Sequence, residues 1–426
     1  MLTTELHTHT IPNVFSRFAQ LVGETHWLKR VRLCEEAIRG NRFLDEYLKA
    51  ENDIAFQLAH LSQLSKKHRG KVPPIACDDR GIYPAASFAA QVLSFADALS
   101  NVERDRFRGR VQGAFRNPND MTGLRLELTI ATHFIRRGKS VRWPEITGGG
   151  TFDLLVEDTG PYGLEIECKS VSNDKGRKIH QREILEFVRL LNPNLKPTIA
   201  GLRSGLYAVL TLPERLPTHH KDRLTLAKEL GRAIFSNQSR PLADGSTVRI
   251  GEFDASGIDP HKFADHQGFH TLVDSITGTS NQHAVVMGNP AGGALAVAVQ
   301  SAQDDELLKA TFDTLANAAR NQLSRRRAGM VIAGFSGLNR QELLSLARQD
   351  QDPTETPTAL RVHASRFLSS GDRDHVVGAG FLSSGALRPL ASGSVESGGT
   401  AYYFPNEQSK HWSTDFRGLF PSAENQ

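Results

Sequence analysis

The sequence predicts an α/β protein in which a central mixed sheet is flanked by helices. Segments with helical spacing of apolar residues fill residues 1–118, and apolar strands alternate with helices over residues 119–255. The same alternation continues over residues 256–426. A chain of 426 residues exceeds one typical domain. We therefore expect a helical N-terminal domain, a central domain and an α/β C-terminal region that either stands alone or extends the central sheet.

The composition is typical of a soluble globular protein, with 39% hydrophobic and 23% charged residues. The formal net charge is only +4, so nucleic-acid binding would have to come from local basic patches. Three cysteines without metal-binding spacing are typical of a reducing compartment. No stretch is apolar enough to span a bilayer, and the N-terminus lacks a signal-peptide core. We expect a cytoplasmic protein that has no membrane partner.

Helical spacing predicts four helices in the N-terminal domain. They cover residues 16–31, 33–48, 53–64 and 86–99. A basic stretch follows them, and its default interpretation is a solvated face paired with Glu103 and Asp105. Contact with a phosphate backbone is the alternative. The stretch contains Arg104, Arg106, Arg108, Arg110 and Arg116.

The next predicted helix carries one acid among apolar residues. Its apolar part covers residues 124–135, and it is expected to end near Gly138. Glu127 is the charged exception in this part. A charge on such a face needs a partner or a metal ion.

Two strands follow and are predicted to pair as a hairpin. The first covers residues 151–157 and the second residues 163–171, with turn residues at 158–161 between them. Asp153 lies at the start of the first strand. It could therefore approach Glu167 on the second strand across the hairpin.

The second strand brings acids and a lysine to one face. The period of two places Glu165, Glu167 and Lys169 on one side and Cys168 on the other. Glu167 and Lys169 are then roughly 7 Å apart. Carboxylates are natural ligands for Mg²⁺, and a nearby lysine can stabilise charge on an attacked phosphate or help to deprotonate a water.

The order of these residues resembles the core motif of the PD-(D/E)XK nuclease superfamily. The motif has an acid on a helix, an acid on a strand and Glu-x-Lys on a second strand, which Glu127, Asp153, Glu167 and Lys169 match. The superfamily has the restriction endonuclease-like fold. The resemblance covers the central region and leaves both ends of the chain unexplained. Phe152 stands where the motif has a proline, a position that varies in the superfamily. A lone Glu-x-Lys is expected by chance about once in a chain of this size, so the ordered set carries the resemblance.

The resemblance implies a metal-dependent nuclease with Mg²⁺ or Mn²⁺ as cofactor. Asp153, Glu167 and Glu127 would hold the metal, with the carbonyl of Cys168 as a further ligand. Lys169 would orient or activate the water and stabilise the developing charge. The same four side chains are the expected catalytic residues.

The expected activity is hydrolysis of phosphodiester bonds in DNA, in restriction-like or anti-phage defence, by a chain that acts alone, as a homodimer or with a partner protein. The biological role rests on family analogy. An RNA-directed nuclease is one alternative, because the site chemistry is indifferent to the sugar. A non-catalytic nucleic-acid-binding or assembly subunit that kept the fold is another, and the intact set of four residues argues against it.

A polar, basic segment follows the second strand and leads into an amphipathic helix. Lys175, Arg177, Lys178 and Arg182 are expected beside the acids, in contact with substrate phosphates. Gln181 could fill the place of a glutamine that some members of the superfamily carry on this helix. A solvated helix start is an equally good interpretation for any one of these residues.

The pattern of strands and helices continues to the end of the chain. Strands at 206–212 and 247–253 and a helix at 220–235 are assigned to the central sheet and its flanking layer. A Gly-rich irregular segment is expected from 255 to about 302, with a hairpin within 285–297. The C-terminal region is predicted to contain helices at 304–323, 340–347 and 358–368 and strands at 330–335, 375–382 and 401–404.

Three further patterns resemble functional motifs but fit poorly. His7 and His9 look like the opening of a PHP-type metal hydrolase, yet the later ligands of that family are not evident. The glycines in residues 147–150 precede a strand, so a hairpin or substrate-approach loop is favoured over a phosphate-binding loop. His219 and His220 lie at a predicted helix start without a third ligand, which favours a surface role.

Overall fold

The computed structural model describes residues 6–73, 77, 79–254, 273–279, 281–383, 385, 387–390, 392–397 and 399–420. The chain forms two compact units. Unit 1 contains residues 1–35, 49–175 and 308–426, and unit 2 contains residues 36–48 and 176–307. Most of unit 2 is therefore an insertion in the chain of unit 1, whereas the sequence predicted three consecutive regions. The predicted boundary at 255/256 lies outside the described residues.

The N-terminal region is helical, as predicted. After a short strand, β1 (Leu6–His7), it contains α1 (Ile11–Val22), α2 (Thr25–Gly40), α3 (Asp45–Glu51), α4 (Asp53–Lys67), α5 (Tyr83–Asp97), α6 (Asn101–Ala114) and α7 (Pro118–Arg136). The predicted single helix at 16–31 is wrong, because Gly23 adopts φ +90° and its N–H closes α1 on the carbonyl of Ala19. The predicted helix at 33–48 ends instead at Gly40.

The predicted hairpin follows α7. The elements are β2 (Val141–Arg142), α8 (Pro144–Thr147), β3 (Leu154–Val156) and β4 (Leu164–Val171). β3 and β4 are antiparallel, with Leu154 opposite Ile166, so the hairpin is confirmed. β3 is shorter than predicted, and Asp153 immediately precedes it.

Unit 2 has its own mixed sheet. Its elements are α9 (Gln181–Gly201), β5 (Gly205–Leu212), α10 (His220–Ser236), β6 (Arg240–Pro241), β7 (Thr247–Phe253), β8 (Gln282–Gly288) and β9 (Ala294–Ser301). The strand order is β6-β7-β5-β9-β8, with β5 and β9 parallel. The predicted hairpin within 285–297 is confirmed as β8 and β9. Much of the predicted irregular segment before it, residues 255–272, lies outside the described residues.

The chain then returns to unit 1. The elements are α11 (Leu307–Asn321), β10 (Ala328–Phe335), α12 (Arg340–Gln351), α13 (Ala359–Leu368), β11 (Val376–Leu382), β12 (Leu387–Pro389), β13 (Ser394–Ser397) and β14 (Ala401–Pro405). Each predicted C-terminal helix and strand is present, with its ends shifted by a few residues. β12 and β13 form a small antiparallel sheet with β1.

The main sheet of unit 1 has the order β14-β11-β10-β4-β3-β2. β4, β10 and β11 run parallel to one another. β14 is antiparallel to β11, and β3 is antiparallel to β4. The C-terminal region thus extends the sheet that contains β4, which is one of the two arrangements that the sequence left open. The assignment of the strands at 206–212 and 247–253 to this sheet is wrong. The strand that pairs with β4 along its whole length is β10.

Helices cover both faces of this sheet, which confirms the predicted fold class. One face packs against the N-terminal helices through Leu154, Leu164, Ile166, Met330 and Ile332. The other packs against α11, α12 and α13 through Val331, Ala333, Phe335, Ala379 and Phe381. No helix among the described residues is both long enough and apolar enough to cross a membrane.

Candidate active site

Asp153 joins the end of β3 to β4 through its side chain. Its Oδ2 accepts a hydrogen bond from the backbone N–H of Cys168 at 2.8 Å. The strand pairing ends at Leu154 and Ile166, so the carboxylate takes the place of a backbone partner further along β4. This contact confirms that Asp153 approaches the second strand across the hairpin.

Cys168 presents its backbone and not its thiol to Asp153. The side chain is 7% exposed and packs with the apolar core on the α7 side. Burial raises the pKa of the thiol, and the carboxylates of Asp153 and Glu127 raise it further. Because the N–H and C=O of one strand residue project to the same edge, the carbonyl of Cys168 is directed to the side on which Asp153 lies.

Glu167 and Lys169 lie on the same face of β4, as predicted, and are in contact. Lys169 Nζ donates to Glu167 Oε1 at 2.6 Å. Glu167 is fully buried, whereas the Lys169 side chain is 26% exposed. Burial raises the pKa of Glu167 to about 8, with the charge of Asp153 adding to the effect and Lys169 opposing it. Glu167 Oε2 has no hydrogen-bond partner in the described part of the chain.

Glu127 is buried on α7 and pairs with an arginine. Its Oε1 accepts from Arg110 Nη2 at 2.6 Å, and its Oε2 has no hydrogen-bond partner among the described residues. Burial raises the pKa of Glu127 to about 8, and the neighbouring Asp153 carboxylate adds to the shift while Arg110 opposes it. The helix therefore holds a carboxyl group that is poorly compensated when ionised.

Asp153 shares the same electrostatic environment. Burial raises its pKa, and the hydrogen bond from Cys168 and the charges of Lys169 and Arg110 oppose the shift. Three acids thus repel one another in a poorly hydrated place that contains two cationic side chains. All four residues predicted from the sequence lie in unit 1. The charge of Asp153 raises the pKa of both Glu127 and Glu167, and the charge of Lys169 lowers that of Glu167.

Arg110 is a site residue that the sequence interpretation missed. Its Nη1 lies 3.0 Å from Glu145 Oε2, so it joins Glu127 to a second acid. A signal for it is present in α6. Arg110 follows buried Phe107 by three residues and precedes buried Ala114 by four, so it lies on the same helix face as these buried residues. Treating the arginines as one basic stretch hid this position.

Three of the other arginines before α7 have partners of their own. Arg108 pairs with Asp105 at 3.2 Å, in agreement with the solvated interpretation. Arg104 and Arg106 donate to backbone carbonyls of Ala96 and Ile146, respectively. These side chains therefore stabilise local structure in unit 1.

Glu165 is the third acid on this face of β4, and its surroundings differ from those of Glu167. It accepts the N–H of Ser324 at 2.7 Å and the Ser324 hydroxyl, and Arg327 Nε lies 3.2 Å away. Both of its oxygens are satisfied although the residue is fully buried. Glu165 therefore serves the structure, and Glu167 keeps an oxygen available.

The predicted substrate-binding residues are divided between the units. Lys175 belongs to unit 1, while Arg177, Lys178, Gln181 and Arg182 belong to unit 2. In unit 2, Asp305 lies 3.8 Å from Arg177 Nε and accepts the backbone N–H of Lys178 at 3.0 Å. Arg182 pairs with Glu186 at 3.2 Å, and Gln181 is the first residue of α9.

Within the described ranges, no group of three or more His, Cys, Asp or Glu side chains has a metal-binding arrangement, and this holds for Glu127, Asp153 and Glu167 as it does for the other motifs. The rings of His7 and His9 are 5.6 Å apart. His219 and His220 are exposed at the start of α10, which confirms a surface location. Gly148 adopts φ +83° and ends α8, in the loop that leads to β3.

Comparisons with models of known protein families, with curated protein sequences and with solved structures find no match for this chain. Function must therefore be inferred from the residues themselves. They provide two buried acids and one partly buried acid, all with raised pKa values, together with a lysine held by one acid and an arginine held by another.

Proposed function

We propose that unit 1 carries the active site of a metal-dependent nuclease of the PD-(D/E)XK superfamily, which hydrolyses phosphodiester bonds with DNA as its preferred substrate. The observation that carries the proposal is the pair of buried acids, Glu127 and Glu167. Each has a pKa raised to about 8 and one oxygen without a hydrogen-bond partner among the described residues. An added divalent cation would offset the repulsion among these acids, and carboxylate oxygens are the hard donors that Mg²⁺ and Mn²⁺ prefer.

Asp153 and Glu167 would hold the ion, together with Glu127 and the carbonyl of Cys168. When bound, a divalent ion supplies Lewis acidity and a coordinated water of lowered pKa. The donors come from α7, from the residue before β3 and from β4, so the hairpin and one helix fix all of them. The hydrogen bond from Cys168 to Asp153 keeps the hairpin end in register with Glu167.

Lys169 has the position expected of a residue that acts on the substrate. Its ammonium group is anchored by Glu167 at 2.6 Å, yet a quarter of the side chain remains accessible. A fixed positive charge at an accessible edge stabilises the charge that develops on an attacked phosphate and orients the attacking water. Arg110 differs from Lys169, because its Nη2 pairs with Glu127 and its Nη1 lies 3.0 Å from Glu145.

The experiment is an incubation of the full-length chain with plasmid, linear duplex, single-stranded DNA and RNA, in Mg²⁺, Mn²⁺ or EDTA. We expect DNA products with either metal and none with EDTA. Lys169→Ala should abolish cleavage while leaving folding and nucleic-acid binding nearly intact, because it removes transition-state stabilisation. Lys66→Ala, which removes an exposed lysine on α4, is the matched control and should cleave normally.

The outcomes separate the alternatives. Cleavage of RNA alone would replace the DNA nuclease by an RNA-directed one. Binding of nucleic acid without cleavage in any metal would indicate a non-catalytic subunit. Cleavage by Lys169→Ala within a few-fold of the wild type would remove this lysine from the mechanism.

A further inference from the structure

A short loop between α11 and β10 is fixed by a buried acid. Glu165 on β4 accepts the N–H and the hydroxyl of Ser324 and pairs with Arg327. Arg327 also donates to the carbonyl of Tyr162 at 3.3 Å. The two ends of the loop are therefore held against the start of β4, and the residues between them have a defined conformation.

The tip of this loop carries two arginines, Arg325 and Arg326, and Arg325 Nη2 donates to the carbonyl of Arg320 at 3.3 Å. Both are exposed, and no carboxylate of the described residues lies within ion-pair distance of either guanidinium. Arg325 adopts φ +61°, a left-handed backbone conformation that is rare for residues other than glycine. Strained backbone of this kind is typical of functional positions. Its carbonyl is 3.4 Å from His411 Nε2, which adds to the fixation of the tip.

An exposed aromatic residue contacts the same loop through its backbone, because Arg327 Nη1 donates to the carbonyl of Tyr162. Tyr162 is 75% exposed, the largest exposed fraction among the described large hydrophobic residues. The parallel pairing of β4 and β10 places Leu164 opposite Ala328. Tyr162 therefore lies just before the end of β4 that adjoins the loop leading to β10, in agreement with the contact between Arg327 and the Tyr162 carbonyl.

We infer that Tyr162, Arg325 and Arg326 form a binding surface for single-stranded nucleic acid, which rests on the proposed nuclease function and narrows its substrate. Cations that follow the backbone, together with an aromatic ring on which a base stacks, are the usual elements of such surfaces. A duplex keeps its bases stacked inside, so it offers phosphates to the arginines but no base face to Tyr162. The partner that uses all three side chains is a strand with unpaired bases.

The surface lies at the opposite end of β4 from the candidate active site. Tyr162 precedes Glu167 by five residues, which corresponds to roughly 16 Å along an extended strand. This distance equals about five nucleotides at the rise of one duplex strand. A short oligonucleotide is therefore long enough to contact both places.

The experiment measures binding of labelled oligo-dT, oligo-U and a duplex to the full-length chain in EDTA, at several salt concentrations. The test variants are Arg325→Gly/Arg326→Ala and Tyr162→Ala, with Tyr162→Phe as the conservative variant. The matched control is Arg69→Gly/Lys67→Ala, because Arg69 is another exposed arginine with positive φ, at +57°. Both double variants remove two charges and relieve the same kind of backbone strain.

We expect the arginine variant to weaken binding of every probe and to reduce the salt slope for single strands by about 1.4, or 0.7 per lost contact. Tyr162→Ala should weaken single-strand binding on the order of 10-fold and duplex binding less than 2-fold, and Tyr162→Phe should bind normally. Equal losses in the control variant, or equal effects of Tyr162→Ala on duplex and single strand, would overturn the inference. Thermal unfolding of each variant verifies that it is folded.

The failure of this inference is distinguishable from failure of the proposed function. If the wild type cleaves DNA while these variants bind and cleave as it does, the nuclease stands and the surface is wrong. If the wild type binds single strands through this surface but cleaves nothing in Mg²⁺ or Mn²⁺, the surface stands and the nuclease is wrong.

Discussion

Arg110 Nη2 lies 2.6 Å from Glu127 Oε1, and this contact joins α6 to the acid-bearing helix α7 at the centre of the candidate site. The Arg110 side chain is 25% exposed and that of Glu127 is 6% exposed. The arginine therefore provides part of the positive charge that the buried acid requires. Removing it leaves an uncompensated carboxylate, whereas removing both charges does not.

The first prediction is that Arg110→Met destabilises the protein in a pH-dependent way. At pH 8.5 the free energy of unfolding should fall by on the order of 2 kcal/mol, because Glu127 is then largely ionised and loses its partner. At pH 6 the loss should be smaller, since the pKa of Glu127 is about 8 and the carboxyl is protonated. Urea unfolding in EDTA measures both values. If Arg110→Met/Glu127→Gln is no more stable than Arg110→Met at pH 8.5, the pair does not act as inferred.

The second prediction concerns the pH dependence of the metal-free protein. Glu127 and Glu167 have pKa values raised from 4.5 to about 8, so the folded state keeps protons that the unfolded state has lost. The contribution of these bound protons to the free energy of unfolding is fully present below pH 4.5 and is lost as the pH rises towards 8. The free energy of unfolding should therefore fall over this window, by about 1.4 kcal/mol per pH unit for each extra bound proton.

Urea unfolding in EDTA from pH 5 to pH 9 tests this expectation. Glu127→Gln/Glu167→Gln should give a flatter profile than the wild type, because neither amide titrates. A wild-type profile as flat as that of the double variant would mean that these two acids are not the buried, proton-holding groups described above.

The placement of Glu127, Asp153, Glu167 and Lys169 could be predicted because local periodicity determines it, whereas that of Arg110 was missed. The period of two placed Glu167 and Lys169 on one face, and the turn between β3 and β4 brought Asp153 across the hairpin. Glu127 was detectable as a single charge on an apolar helical face. Each of these signals depends on neighbours within a few residues along the chain.

Features that depend on distant pairing were not predictable in the same way. Strand propensity identified β5 and β10 equally well, but it did not show that β10 pairs with β4 while β5 pairs with β7 and β9. The insertion of most of unit 2 between β4 and the strand beside it is therefore a finding of the structure. Gly23 gave a local signal for a helix end, and the helical spacing on both sides of it concealed that signal.

The third prediction is that Asp153→Asn weakens metal binding without unfolding the hairpin. Asparagine keeps an oxygen that can accept the N–H of Cys168, but it loses the charge and one oxygen ligand. Calorimetric titration with Mn²⁺ should show an affinity lower by on the order of 10-fold or more. Asp158→Asn, an exposed acid-to-amide change on the same hairpin, is the control and should bind Mn²⁺ normally. Unchanged affinity and stoichiometry in Asp153→Asn would count against Asp153 as a ligand.

The last prediction tests the basic segment at the start of unit 2. If Arg177 and Lys178 contact phosphates, Arg177→Ala/Lys178→Ala should weaken binding of all duplex sequences alike and flatten the salt dependence by up to about two counterions. Arg177 lies 3.8 Å from Asp305, so part of its charge is already compensated and Lys178 should contribute more. Metal affinity should not change.

The measurement is binding of a labelled duplex at several salt concentrations, in Ca²⁺ to suppress cleavage. Lys221→Ala/Lys228→Ala, which removes two exposed charges from α10 in the same unit, is the matched control. A steeper loss in the Arg177 and Lys178 variant than in this control would assign phosphate contact to the segment. An unchanged slope would mean that the segment is a solvated helix start. The arginines of unit 1 would then be the next candidates for contact with substrate phosphates.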